Sequence, residues 1–162
     1  MSRLAAIALG SNLASQWGSP DANLREAIKR ISELGRPRNV SSFYTTAPVG
    51  YLDQPNFTNA AMLLDTELEP LELMHALLQI ERTMGRDRSA SAPAKGPRII
   101  DLDLLLMDDV ILAAPDLTLP HPAMAERRFV LEPLAEIAPQ MLDPVSGRTI
   151  AQLLAELEPA QS

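Results

Sequence analysis

The alternation of apolar and polar residues divides the chain into short strands and amphipathic helices. Leu4 to Leu9 is an apolar run that ends in a turn sequence, Gly10-Ser11-Asn12, and we interpret it as a buried first strand. From the cap sequence Ser19-Pro20 onward, apolar residues recur at helical spacing to Leu34, just before Gly35. The N-terminal part therefore predicts a strand followed by a helix that covers one sheet face.

Two further runs and a second helix continue this pattern. Val40 to Thr46 and Phe57 to Thr66 are rich in β-branched and aromatic residues, which favours two sequential strands. Glu69-Pro70 opens an amphipathic helix for which Gly85 is a natural stop. The strongly apolar run from Ile99 to Met107 then predicts a central strand.

The order of these elements predicts the fold class. Strand, helix, two strands, helix, strand is the order of a ferredoxin-like α+β unit, in which helices pack on one face of an antiparallel sheet. Short closing helices are expected at Leu134 to Ile137 and Thr149 to Leu157, and the aperiodic segment 86–97 predicts a long active-site loop that acts as a lid. Since the chain has 162 residues, 46% of them hydrophobic, we expect a single domain over residues 1–162.

The charge distribution narrows the choice of partners. The formal net charge is -7, which argues against nucleic acid because proteins usually meet its backbone with a basic face. Residues 82–98 are nevertheless cationic. Their only acidic residue is Asp87, and their five basic residues are Arg82, Arg86, Arg88, Lys95 and Arg98. Such a local patch can bind a small polyanion.

Cysteine usage and the lengths of the apolar runs bear on the compartment. With no cysteine the chain has neither disulfides nor thiolate metal sites, which fits a reducing cytoplasm. Its apolar runs are shorter than the roughly 18 to 20 residues that span a bilayer, and Leu4 to Leu9 is short for a signal-peptide core. We expect a soluble, cytoplasmic monomer with no membrane partner.

Two carboxylates on the last strand are the candidate metal ligands. Side chains alternate along a strand, so Asp101 and Asp103 are expected on one face, while Ile100, Leu102 and Leu104 point into the core. Residues two apart lie roughly 7 Å from each other, which lets both acids share two metal ions about 4 Å apart. Carboxylate oxygens together with substrate phosphates suit Mg²⁺, so the pair predicts two magnesium ions on a triphosphate.

An alternative interpretation is that Asp-x-Asp only keeps the outer face of a strand hydrated. The residues before it favour the binding site, because Gly96-Pro97-Arg98 and the arginine-rich loop bring cations beside the carboxylates. Arginine binds phosphate oxygens through two parallel hydrogen bonds.

The sequence resembles one enzyme family along nearly its whole length. The similar segments are Leu9 to Asn12, Ser42 to Tyr44, Thr46 to Gly50, Gln54 to Ala60, Ile80-Glu81, Gly85-Arg86, Gly96 to Asp103 and Pro120-His121. In this order they resemble 6-hydroxymethyl-7,8-dihydropterin pyrophosphokinase, the magnesium-dependent family of folate biosynthesis that moves pyrophosphate from ATP to a pterin alcohol. The resemblance implies small-molecule partners only, ATP and the pterin.

The resemblance assigns a phosphate side to the site. It implies that Asp101 and Asp103 bind both magnesium ions, and that Arg86 and Arg98 hold the ATP phosphates during transfer. Its other implied ATP contacts come from Arg88, His121, Arg127 and Glu81, the last of which contacts the nucleotide or orients an arginine.

The resemblance also assigns a pterin side. Asn59 would recognise the ring edge, since an amide both donates and accepts, while Phe57 and Phe129 would stack on the ring. The implied wall of the pocket is Thr46, Pro48, Val49 and Gly50. One departure from the family is Lys95, which stands where an aromatic residue often precedes Gly-Pro-Arg and so affects how the lid closes.

The implied reaction is an in-line attack of the pterin hydroxymethyl oxygen on the β-phosphorus of ATP, with AMP as leaving group. No general base is assigned, because Asp103 as a metal ligand is a poor candidate. Two other functions stay open at this point. One is a two-metal phosphohydrolase or nuclease, and the other is a non-catalytic ferredoxin-like ligand-binding domain.

Overall fold

An antiparallel sheet forms the centre of the protein in a computed structural model that describes residues 2–47, 55–85 and 98–157. Within these residues its strands are β1 (Arg3–Ser11), β2 (Arg36–Val40), β3 (Tyr44–Thr46), β4 (Phe57–Thr66) and β5 (Asp101–Met107). The strand order is β2-β4-β1-β5, and β3 also pairs with β4. This antiparallel order, with two helices between its strands, confirms the predicted ferredoxin-like α+β class.

The helices cover both faces of the sheet. The first face carries α1 (Pro20–Ile31) and α2 (Pro70–Thr83), whose apolar stripes pack on the odd-numbered residues of β1. The second face carries α3 (Arg128–Ile137) and α4 (Ile150–Glu156), which pack on Ala6 and Ala8 of β1 and on neighbouring strands. The predicted one-face arrangement holds for α1 and α2, the helices of the ferredoxin-like unit. The two closing helices, for which no face was predicted, cover the other face, because β1 is apolar on both sides and needs cover on each.

The strand predicted at Val40 to Thr46 is interrupted in its middle. Ser41 is buried, and its hydroxyl accepts a hydrogen bond from the backbone N–H of Ala61 at 2.9 Å. The same hydroxyl donates to the carbonyl of Ser42 at 2.8 Å. The backbone N–H of Ser41 still donates to the Ala61 carbonyl at 2.9 Å, so the side chain replaces only the other half of this backbone pair. The regular ladder is interrupted here, and β2 ends before Ser41 while β3 begins after it.

Other boundaries differ by small amounts. The first helix ends at Ile31 and not at Leu34, β5 begins at Asp101, and α3 begins six residues before the predicted Leu134. The long run predicted from Phe57 to Thr66 is one strand, as expected. Between β5 and α3 lie a short hairpin, β6 (Leu112–Ala113) and β7 (Thr118–Leu119), and a 3₁₀ turn at Met124–Glu126.

The described helices include none that is long and apolar enough to cross a membrane. The predicted lid, 86–97, lies outside the described residues, as do Arg86, Arg88 and Lys95 within it. The same holds for Pro48, Val49 and Gly50 of the predicted pocket wall.

Candidate active site

One row of residues crosses the second face of the sheet and organises the site. Gly10 on the central strand pairs with Asn59 on one side and with Asp101 on the other. Adjacent strands lie about 4.7–4.9 Å apart, so the Cα atoms of Asn59 and Asp101 are separated by roughly 10 Å. The strand pairing therefore places Asn59, which is predicted to recognise the pterin, and Asp101, which is predicted to bind metal, on either side of Gly10.

The glycine at the centre of this row keeps the face open. A Cβ at Gly10 would lie 3.0 Å from the Asn59 Oδ1 atom and 3.8 Å from the Phe57 ring. The first of these distances is tighter than an ordinary van der Waals contact, so even a methyl group would press on the amide. A flat ring can lie over this position only because the residue has no side chain.

Three of the predicted pterin-side residues, Thr46, Phe57 and Asn59, come together at the start of β4. Thr46 pairs with Phe57, and the Asn59 Nδ2 group donates a hydrogen bond to the Thr46 hydroxyl. This bond fixes the orientation of the amide, and its acceptor oxygen faces the space above Gly10. Asn59 is buried, so its oxygen is held in one direction.

The acid pair has the predicted arrangement on β5. Ile100, Leu102 and Leu104 are buried, whereas the side chains of Asp101 and Asp103 are 37% and 38% exposed. Asp103 pairs with Ala8, which packs under α3, so both carboxylates share the second face with Asn59. Their partial exposure leaves them accessible to ligands.

Two cationic or potentially cationic groups flank the acids. The Arg98 Nη1 atom lies 3.8 Å from the Asp101 Oδ1 atom, and the His121 Nε2 atom lies 4.0 Å from the Asp103 Oδ1 atom. Arg98 is largely buried, with 17% of its side chain exposed. The site therefore offers hydrogen-bond donors on both sides of the carboxylates.

Backbone contacts fix the orientation of His121. Its own N–H donates to the carbonyl of Leu105 at 2.9 Å, and its Nδ1 atom accepts the N–H of Ala123 at 3.1 Å. Since Nδ1 is an acceptor, the proton of the neutral imidazole is on Nε2, the nitrogen that faces Asp103.

The surroundings of His121 favour this neutral form. Burial, followed by the positive charge of Arg127, lowers the pKa of His121, and the charge of Asp101 opposes them in part. The Arg127 guanidinium carbon in turn lies 5.7 Å from the centroid of the Phe129 ring. A predicted phosphate contact and a predicted stacking residue are therefore neighbours at the start of α3.

Glu81 lies behind the acid pair and not in the open site. Its side chain is fully buried, and its carboxylate accepts the backbone N–H of Leu102 at 2.7 Å. Leu102 is the residue between the two acids. Of the two roles predicted for Glu81, a direct contact with nucleotide does not fit a buried carboxylate directed at β5, and the orientation of an arginine stays a prediction.

A cavity of about 400 Å³ adjoins the acids. Its walls combine Asp101 and Asp103 with apolar residues of α2, among them Met74 and Leu77, and with the loop 115–118. From the sequence, α2 is predicted only as an amphipathic helix, and nothing indicates that the loop lies beside the acids. The loop contains one carboxylate, Asp116, but no local pattern in the sequence connects it with Asp101 and Asp103, and its place in the same cavity follows only from the fold.

Comparison with known proteins decides the family. Residues 6–139 match the family described as 7,8-dihydro-6-hydroxymethylpterin-pyrophosphokinase (HPPK). The chain belongs to the HPPK family. It is 44% identical over 149 residues to 2-amino-4-hydroxy-6-hydroxymethyldihydropteridine pyrophosphokinase of Pseudomonas aeruginosa, covering 92% of this chain and 88% of the relative.

Longer proteins contain a similar HPPK region. The chain is 33% identical over 157 residues to the folic acid synthesis protein fol1 of Schizosaccharomyces pombe, covering 96% of this chain and 20% of that protein. The wild-type HPPK-DHPS structure of Plasmodium falciparum matches with a TM-score of 0.71 at 16% identity, covering 96% of this chain and 45% of that one. The chain thus spans less than half of both, and the structural likeness shows that the fold is shared.

Proposed function

We propose that the protein transfers pyrophosphate from ATP to the hydroxymethyl group of 6-hydroxymethyl-7,8-dihydropterin, giving AMP and the pterin diphosphate, in folate biosynthesis. The observation that carries the proposal is the row Asn59, Gly10 and Asp101, which sets an amide for the ring beside an acid for the phosphates. Membership of the HPPK family and the names of the relatives support the same reaction.

The pterin side of the proposed site is suited to a flat amino-oxo heterocycle. The Asn59 Oδ1 atom faces the space above Gly10, where it can accept hydrogen bonds from the ring edge. Phe57 lies on the same face, two residues before Asn59, and supplies an apolar ring surface. Phe129 from α3 is proposed as the second stacking surface, and Pro48, Val49 and Gly50 as further parts of the wall.

The phosphate side is suited to a polyanion. Arg98 supplies a fixed positive charge, and His121 supplies a neutral N–H donor from Nε2. Arg127 adds a cation beside His121. The proposed contacts of Arg86 and Arg88 with ATP rest on the family resemblance.

The residues present fit the two proposed magnesium ions. Asp101 and Asp103 are two residues apart on β5, lie on the same face and are partly exposed. In the described part of the chain, no group of three or more His, Cys, Asp or Glu residues forms a metal site. This fits Mg²⁺, which often takes only one or two carboxylates and completes its shell with phosphate oxygens and water. When bound, magnesium would neutralise phosphate charge and polarise the phosphorus that is attacked.

The proposed step is a displacement at the β-phosphorus. The pterin hydroxymethyl oxygen forms a new bond to this phosphorus, and the bond from it to the oxygen bridging the α- and β-phosphates breaks. AMP leaves with the bridging oxygen, and the hydroxyl proton is lost. The contribution of the chain is positioning, because Asn59 and Asp101 hold the two reactants on one surface. No side chain is assigned as general base.

A product assay tests this function. Wild type with magnesium, ATP and hydroxymethyldihydropterin should form AMP and pterin diphosphate in equal amounts. Asp101→Ala and Asp103→Ala should each reduce kcat/KM by roughly 10²–10⁴-fold, since each removes a ligand from the reacting phosphates. Asp109→Ala changes an exposed acid outside the site and serves as the control.

Two outcomes would favour the other functions. Release of phosphate without a pterin product would indicate a phosphohydrolase. Ligand binding without turnover, equal in wild type and both site variants, would indicate a non-catalytic domain. Cytoplasmic location, the monomeric state and a single domain over residues 1–162 stay predictions from the sequence.

A further inference from the structure

The side chain of Asn12 connects the two strand starts that carry the site. It follows β1 directly and is buried. Its Nδ2 group donates to the carbonyl of Pro55 at 3.0 Å, and its Oδ1 atom accepts the backbone N–H of Arg98 at 2.7 Å. The backbone N–H of Asn12 also donates to the Arg98 carbonyl at 3.0 Å. One residue thus holds two segments that are far apart in the sequence.

One of the contacted residues, Pro55, lies just before two predicted site residues, and the other, Arg98, is itself a predicted site residue. Pro55 precedes β4 and is two residues from Phe57 and four from Asn59. Arg98 is held through both its N–H and its carbonyl group, and its guanidinium lies 3.8 Å from Asp101. The position of Asn12 therefore affects the pterin side and the phosphate side together.

The chemistry of this position requires an amide. One end must accept from an N–H group while the other donates to a carbonyl, and among uncharged side chains of this size only asparagine does both. Aspartate would keep the bond from the Arg98 N–H but would place an acceptor against the Pro55 carbonyl. Alanine would leave the Pro55 carbonyl and the Arg98 N–H, both in partly buried hydrogen bonds, without this partner.

We propose that Asn12 is a positioning residue that sets the distance between the pterin-binding and phosphate-binding halves of the site. The inference rests on the proposed function, because it assigns Asn59 to the pterin and Arg98 to ATP. Asn12 itself touches neither reactant and acts through the backbone of Pro55 and Arg98. In-line transfer depends on this alignment, and a misplacement of about 1 Å can reduce the rate about 10²-fold.

The test compares Asn12→Ala and Asn12→Asp with a matched control. The control is Thr66→Val, which also removes a side-chain hydrogen bond that joins two segments. The Thr66 Oγ1 atom donates to the Leu34 carbonyl at 2.8 Å. Thr66 lies at the far end of β4, paired with Arg3. Titrations measure the Kd of hydroxymethyldihydropterin and of a magnesium complex of a non-hydrolysable ATP analogue, and thermal unfolding measures stability.

The Asn12→Ala variant should weaken both ligands by about tenfold. Thr66→Val should lower stability and leave both affinities unchanged. Asn12→Asp keeps one of the two side-chain hydrogen bonds and provides a folded variant if Asn12→Ala does not fold. It should raise the Kd of the pterin by a similar factor. Unchanged affinities in a folded Asn12 variant would overturn the proposal.

A double-mutant cycle separates positioning from a general structural effect. If Asn12 acts on ATP through Arg98, the Asn12→Ala effect on the ATP analogue should fall from about tenfold to twofold or less in an Arg98→Ala background. Equal effects in both backgrounds would overturn the proposal. The product assay on wild type is done first, because an inactive wild type contradicts the proposed function and with it this inference. An active wild type with normal Asn12 variants contradicts only the inference.

Discussion

At the scale of single residues, the ring position proposed between the two halves of the site depends on Gly10. The residue lies between Asn59 and Asp101, and it places no side chain of its own on this face. The atom nearest to a Cβ added at Gly10 is the Asn59 Oδ1 atom. The amide that carries this oxygen donates a hydrogen bond to the Thr46 hydroxyl. The amide therefore cannot move away without breaking that hydrogen bond.

Gly10→Ala should raise the KM for the pterin about tenfold, because the added methyl group displaces the Asn59 amide and occupies the ring position at a typical overpacking cost of about 1–3 kcal/mol. The KM for ATP should change by less than twofold, since the phosphate side does not contact the methyl group. Steady-state kinetics with each substrate varied in turn measure both values. Gly147→Ala, in a turn with φ +74 and no atoms within 4 Å of the added carbon, is the control. Equal changes in both KM values for Gly10→Ala would contradict this role.

Single residues also show how far the sequence predicts the site. The alternation that places Asp101 and Asp103 on one face is local, so the sequence predicts it and burial confirms it. The row through Gly10 depends on the pairing of β1 with two other strands, and no local pattern fixes that register. The position of Glu81 behind β5 is a tertiary contact of the same kind.

At the scale of elements, the least predictable feature is the sheet face that each helix covers. An amphipathic stripe shows that a helix packs on something apolar, and it does not say on which side of the sheet. β1 is buried on both sides, so α3 and α4 could fill the second face while α1 and α2 filled the first. The strand predicted at Val40 to Thr46 fails for another reason, since the serine that interrupts it bonds to a strand distant in sequence.

A carboxylate on α3 joins this helix to the pterin side. The Tyr44 hydroxyl donates to Glu136 Oε1 at 2.7 Å, and the backbone N–H of Ser42 donates to both carboxylate oxygens at 3.0–3.1 Å. Tyr44 lies in the same row as Asn59, and α3 carries Phe129. The contact therefore fixes the two sides of the proposed ring pocket relative to each other.

Acid should remove the stabilisation that Glu136 provides. Its hydrogen bonds, first that from Tyr44 and then that from the Ser42 backbone, lower the pKa of Glu136 in the folded protein. A group whose pKa is lowered on folding stabilises above its unfolded value and loses this effect as the pH falls through the folded value. Glu136→Gln should therefore have a lower Tm than wild type at pH 7. This difference in Tm should shrink as the pH falls below 4.5, the ordinary pKa of a glutamate. Thermal unfolding at several pH values measures it, and a difference independent of pH would contradict the assignment.

At the opposite end of the pH scale the same contact raises the pKa of Tyr44 to about 12, with the hydrogen bond to Glu136 as the main cause. A group whose pKa is raised on folding stabilises below its unfolded value and loses this effect as the pH rises. The contact should therefore be strongest between the acid and alkaline limits. Both side chains are near the surface, so the effect on total stability is small.

At the scale of the whole molecule, the sites proposed for both substrates lie on one region of the second sheet face. The start of α3 lies beside it, with Arg127 and Phe129. The protein as a whole carries a charge of -7, so a triphosphate can bind only where local cations and metal ions offset this charge. Arg98, Arg127 and the proposed magnesium ions provide that offset next to the ring position.

The most direct test of this account is a crystal structure with magnesium, a non-hydrolysable ATP analogue and hydroxymethyldihydropterin. We expect divalent ions between the phosphates and the carboxylates of Asp101 and Asp103, and a pterin ring over Gly10 with its edge at the Asn59 amide. Carboxylates turned away from a metal-free triphosphate, or a pterin bound elsewhere, would contradict the account.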